Sequence, residues 1–127
     1  MSGAAPSNEV PPWLREQLAR FEQLQQNLQA ILVQKQQVEL ESAEVNRALT
    51  ELRKAAEGDA IYKSAGSILI KANKDELVKE LEDKKELATT RSAVLGKQEQ
   101  RVRENIRELQ AKLEDAVKGR GPGPASS

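Results

Sequence analysis

Two runs of this chain repeat apolar residues at alternating steps of three and four, and that period leaves few folds open. The first run is Leu14, Gln17, Phe21, Leu24, Leu28, Ile31, Lys35, Val38, Ser42, Val45, Leu49 and Leu52. The second is Val78, Leu81, Lys85, Ala88, Ser92, Leu95, Glu99, Val102, Ile106, Leu109, Leu113 and Ala116. Nine of twelve positions are apolar in each. A period of about 3.5 residues holds one stripe of a helix against one partner helix. Two such helices joined by a short connection fold back on each other. The predicted fold is mainly α, a long antiparallel two-helix coiled coil with one β-hairpin at the bend.

The two stripes test each other. Pairing Leu52 with Val78 at one limit and Leu14 with Ala116 at the other sets a core position opposite a core position in all twelve layers. The alternative is a slip by one heptad. In this register no layer is polar on both sides: Lys35 faces Leu95, Ser42 faces Ala88, and Ser92 faces Val38. Lys85 faces Val45, Glu99 faces Ile31, and Gln17 faces Leu113. Every polar break except Gln17 falls between the Ile31–Glu99 and Val45–Lys85 layers, where Gly96 adds roughly 1 kcal/mol of helix cost. A weak waist is expected there. Its polar residues either fix register or let the helices splay. Leu18 and Leu32 lie beside the stripe and broaden it.

Composition agrees with a thin seam. Aromatic residues are 2% of the 127 residues and charged residues 31%, and a two-stranded coiled coil needs only aliphatic side chains. Twenty basic residues balance twenty acidic ones, so no basic field favours nucleic acid. Cysteine and histidine are absent. Disulfides, thiolate nucleophiles, Cys/His zinc sites and His acid–base catalysis are therefore excluded. No apolar run is long enough to span a membrane, and the N-terminus lacks the pattern of a signal peptide. The expected location is the cytoplasm.

Residues 1–11 are small, polar and Pro-containing, and residues 119–127 are rich in Gly and Pro; both are expected to be disordered. The folded part is expected over residues 12–118. Helix 1 is predicted from about Trp13 to about Glu57, with Gly58 as its stop. Helix 2 is predicted from about Lys74 to Lys118, with Asn73 as N-cap, Glu76 at capping-box spacing and Gly119 as the stop. Between them, residues 60–71 hold two β-prone runs, AIYKS and SILIK, which flank Ala65-Gly66 and predict a hairpin of open turn type.

A lone two-stranded hairpin is marginal in water. This one carries Ile61, Tyr62, Ile68, Leu69 and Ile70 on a sheet with two edges, an aggregation hazard unless other chains pair with it. Hairpins from several subunits joining into a shared sheet or β-barrel remove the hazard. The alternative is a hairpin folded onto its own helices. At the opposite end of the helices lie Trp13, Leu14, Leu18, Leu113, Ala116 and Val117. Trp13 fits either a hydrophobic staple at the helix start or an exposed apolar contact.

The helix start VPPWLREQLARFEQLQQNLQAILVQKQQVELE, the segment DAIYKSAGSILIK and a second heptad helix together resemble the β-type subunits of the prefoldin family. The resemblance covers about residues 9–118, and its most specific part is the stretch Tyr62–Lys71, YK-x-x-G-x-I-L-I-K. The single hairpin suits the β-type, since the α-type carries two. The resemblance implies a hexamer of two α-type and four β-type subunits whose hairpins form a double β-barrel. It also implies a chaperone that needs no nucleotide or other cofactor, captures unfolded polypeptides at its coiled-coil tips and delivers them to a group II chaperonin. Carried onto this chain, Ile61, Tyr62, Ile68, Leu69 and Ile70 form the oligomer interface. Trp13, Leu14, Leu18, Leu113, Ala116 and Val117 contact clients.

Three other classes compete with this one. A structural or scaffold coiled coil without chaperone activity differs by not suppressing client aggregation. A leucine zipper has Leu81, Ala88, Leu95, Val102 and Leu109 in its favour, but lacks the dense basic region, because residues 74–80 are mixed in sign. An enzyme is disfavoured, since the carboxylates fall on exposed helix faces with no phosphate loop or metal-ligand cluster.

Overall fold

The computed structural model describes residues 10–119. Four elements follow in order: α1 (Pro12–Lys54), β1 (Ile61–Ala65), β2 (Ile68–Ala72) and α2 (Lys74–Val117). The expectation of disordered tails falls almost wholly outside the described residues. The chain divides into two compact units. A terminal unit comprises Met1–Leu32 with Lys97–Ser127, and a central unit comprises Val33–Gly96.

The helix ends have local causes. Pro12 occupies the first helical position of α1, where a missing N–H is no loss, and the Arg15 amide donates to the Pro11 carbonyl at 2.9 Å. At the start of α2 the Glu76 amide donates to Asn73 Oδ1 at 3.0 Å, the N-cap the sequence predicted. Asp75 and Glu76 lie in that first turn, where the helix dipole favours acids. The far end of α2 closes on Gly119, at φ +88°, whose amide donates to the Ala116 carbonyl at 3.0 Å.

The end of α1 departs from expectation. The helix stops at Lys54 rather than near Glu57. The Ala55 amide turns back to the Leu52 carbonyl at 3.1 Å, and the Ala56 amide is taken by Asp59 Oδ2 at 2.7 Å. Gly58, at φ +89°, belongs to that turn and not to the helix cap itself.

Burial follows the predicted stripes. On α1 every one of the twelve stripe positions is buried or partly buried; off the stripe only Trp13 and Leu32 join them. In the terminal unit Leu24, Ile106 and Leu109 form a buried cluster, with Phe21, Leu28, Val102 and Leu113 packed against it. These are the neighbours that the proposed register brings together. In the central unit the buried side chains are Val38, Leu49, Leu52, Ala88 and Leu95, with Val38 and Leu49 only 1% exposed. Ion pairs flank that seam: Arg53 with Glu82 at 2.8 Å and Arg91 with Glu41 at 3.3 Å.

The polar stripe positions of the central unit are more open on α2 than on α1. Lys85 and Ser92 on α2 are exposed, as polar side chains in a thin seam are free to be. On α1 Val38, in the layer opposite Ser92, is among the most deeply buried residues. Among the described residues no polar or charged residue is fully buried. The fold is thus held by an aliphatic stripe about one side chain thick.

Candidate interaction surfaces

The hairpin begins at its turn. Ala65 pairs with Ile68, so the two-residue loop is Gly66-Ser67, one position later than the Ala65-Gly66 placement read from sequence. Glycine therefore comes first, at φ +63°, and Ser67 has no positive φ. That combination is the signature of a II′ turn, which matches strand twist. Register follows: Ile61 opposite Ala72, Tyr62 opposite Lys71, Lys63 opposite Ile70 and Ser64 opposite Leu69.

Opposed residues share a face. One face carries Ile61, Lys63, Ala65, Ile68, Ile70 and Ala72, mostly apolar; the other carries Tyr62, Ser64, Leu69 and Lys71. Tyr62, Ile68, Leu69 and Ile70 are between 43% and 72% exposed, and Ile61 is partly buried. Among the described residues the sheet has two strands, so each strand's outer edge offers unpaired N–H and C=O groups. All five predicted interface residues fall on this one small sheet. The hairpin is tethered to α2 by Lys63 Nζ and Glu80 Oε1, 3.5 Å apart and nearly half exposed at both ends.

The helix ends in the terminal unit are less uniform. Trp13, Leu14, Leu113 and Ala116 are partly buried, so Trp13 is neither sealed as a staple nor fully presented. Leu18 is exposed, and Val117 is 82% exposed. Leu113 and Val117 line a groove of about 470 Å³ together with Phe21, Gln110, Glu114 and Lys118. Trp13, Leu14, Leu18 and Ala116 are not among its lining residues. In the sequence Phe21 stands out only as a stripe residue. Its size is the available signal, since it is the sole phenylalanine of the chain and stands in a stripe whose other apolar members are aliphatic.

Other exposed apolar residues were missed. Val33, Leu40, Leu87 and Val94 stand exposed in the central unit, outside both stripes. Their signal in the sequence was a second seven-residue spacing, Val33 to Leu40 and Leu87 to Val94. Among the described residues no group of three or more His, Cys, Asp or Glu side chains could hold a metal ion, and no helix is long and apolar enough to cross a membrane.

Comparison with known proteins gives this arrangement a family. The family model described as "Prefoldin subunit" matches residues 15–120. The chain is 40% identical over 109 residues to prefoldin subunit beta of Archaeoglobus fulgidus, covering 86% of this chain and 94% of that protein. It is 37% identical over 109 residues to prefoldin subunit beta of Thermococcus onnurineus, with the same coverage. Its fold is similar to the crystal structure of the prefoldin beta subunit from Thermococcus strain KS-1, with a TM-score of 0.76 and 35% identity. That match covers 85% of this chain and 95% of the other. With paired heptad helices, one β-hairpin between them and relatives of this closeness over most of its length, the chain belongs to the prefoldin family, as a subunit of the beta type.

Proposed function

We propose that the chain is a cytoplasmic, ATP-independent holdase subunit that assembles through its hairpin and grips unfolded polypeptides at its helix ends. Four copies join two α-type subunits in a hexamer, the hairpins closing into a β-barrel body, and clients pass on to a group II chaperonin. The observation that carries this reading is the hairpin. Four large, exposed side chains and two open strand edges sit on a sheet too small to be stable alone. Pairing with other hairpins supplies both the missing backbone partners and a cover for the apolar face.

Client capture rests on Leu18, Val117 and the groove beside Phe21 and Leu113. Clients share only exposed apolar surface, so a holdase needs weak, non-directional contacts. Several arms acting together raise avidity through effective concentration, while each patch stays too small to aggregate by itself.

Native mass spectrometry of a tagged copy purified from its own host tests the assembly. Two copies of a larger coiled-coil subunit with four of this chain is the expected result; a lone dimer sinks the hexamer. Suppression of aggregation of a denatured client, without nucleotide, tests the holding activity. A complex that assembles but leaves client aggregation unchanged is the scaffold reading.

A further inference from the structure

Lys74 occupies an awkward place. It is the first residue of α2, where the positive end of the helix dipole disfavours a cation. Its side chain is nevertheless partly buried, and its ammonium does not turn to the acids beside it. Lys74 Nζ donates instead to the carbonyl oxygen of Ala55, 2.7 Å away and 19 residues earlier. Ala55 is the first residue past α1, so its carbonyl lies among those a helix end leaves without a partner. It also lies at the negative end of the α1 dipole. One side chain thus answers the end of α1 from the start of α2.

That bond closes a ring of backbone containing both strands. Within the ring, the Ala56 amide donates to Asp59 Oδ2 at 2.7 Å and the Asp59 amide to the Ala56 carbonyl at 3.0 Å, which makes the first connection a closed turn. The second connection is a single residue, Asn73, held by its own cap. Two other polar links serve this region, and both are weaker ties. Lys63–Glu80 spans 3.5 Å at nearly half exposure, and Arg53–Glu82, though short, has both side chains more than half exposed. Exposed pairs are screened by salt and contribute little. The Lys74 bond is shorter and less exposed, and its acceptor is a backbone carbonyl whose position follows from the helix.

We propose that Lys74 is the positioning residue of the hairpin: its bond to Ala55 holds the ends of α1 and α2 together and so presents the strands in the attitude that assembly requires. The assembly half of this proposal rests on the function proposed above; the clamp itself does not.

The test compares Lys74→Glu, Lys74→Gln and Lys74→Arg in the full-length chain. An ordinary helix-end effect and the clamp predict opposite signs for Lys74→Glu. An acid in the first turn strengthens α2, whereas loss of the clamp loosens the neck, the turn Ala55–Asp59 where α1 leads into the hairpin. The expected result is amide hydrogen exchange roughly tenfold faster at Ala55, Ala56 and Asp59 in the Glu and Gln variants, the loss expected for one charge-assisted bond. Exchange at Leu24 and Leu109 is unchanged, and Lys74→Arg restores protection. Affinity for the α-type partner falls by a similar factor in the Glu and Gln variants, in 0.5 M salt as well as at low salt. Unchanged neck exchange overturns the clamp. Fast neck exchange with wild-type affinity overturns its role in assembly. A wild-type chain that joins no α-type partner overturns the function proposed above, and neck exchange alone then decides the clamp.

Discussion

The hairpin and the helix ends are both apolar and exposed, yet they offer a partner different things. On the hairpin, Tyr62, Ile68, Leu69 and Ile70 stand on a hydrogen-bonded ladder in fixed register. Its outer edges carry backbone groups that demand a partner in one direction and at one spacing. At the helix ends there is no open strand edge, and the apolar groups are scattered: Val117 mostly out, Leu18 nearly half out, Trp13 and Leu113 partly covered. An open strand edge turns apolar surface into a specific joint; without one the surface is adhesive and undiscriminating. On the proposed function, fixed partners and changing clients would thus be met by the same few residue types.

Substitutions can break that contrast, and the largest effect is expected at the hairpin. Ile70→Asp loses an apolar side chain worth about 1.5–3 kcal/mol when buried and places a carboxylate in the proposed interface. Hetero-oligomer affinity should fall by at least about a hundredfold, read by native mass spectrometry. Helicity by circular dichroism should hold, because Ile70 lies in neither helix. Leu109→Ala attacks the seam instead. Leu109 is buried against Leu24 and Ile106, and the change should cost about 2–5 kcal/mol, seen as a lowered melting temperature. A normal melting curve would mean that the terminal seam contributes little to stability.

Smaller changes sharpen the comparison. Gly66→Ala puts a Cβ on a residue at φ +63° with no neighbour within 4 Å, so its cost is conformational alone, about 1–2 kcal/mol. Strand amide exchange should quicken while exchange in α1 and α2 does not. Val117→Ser should leave stability within about 0.5 kcal/mol and assembly intact, yet weaken client holding. If aggregation suppression is unchanged, the helix end is not where clients bind. The least effect belongs to Arg53→Ala: the half-exposed pair with Glu82 contributes about 0–1 kcal/mol, and the difference should vanish in about 1 M salt.

Much of this fold is legible from spacing. The stripes, the Asn73 cap and the Gly119 stop are local or periodic, and the structure has each of them where the residues point. What escaped depends on partners distant in sequence or on register. The end of α1 is set by Asp59 and reinforced from Lys74, neither of them in the helix that ends. The turn slipped by one residue because strand pairing, and not the dipeptide alone, decides which residues form the loop. For the surfaces, the hairpin set was readable because alternation and a glycine announce it. The groove at Phe21 was not, since a stripe residue looks the same whether its outer edge is covered or open.

The aliphatic seam also has a thermal consequence. Unfolding raises the heat capacity in proportion to the apolar area it exposes, about 12–15 cal/mol/K per residue in globular domains. Here the buried residues are a single file of Leu, Ile, Val and Ala, so the increment per residue should lie below that range. A small increment flattens the stability curve on both sides of its maximum. Such a chain loses little in the cold and yields gradually to heat.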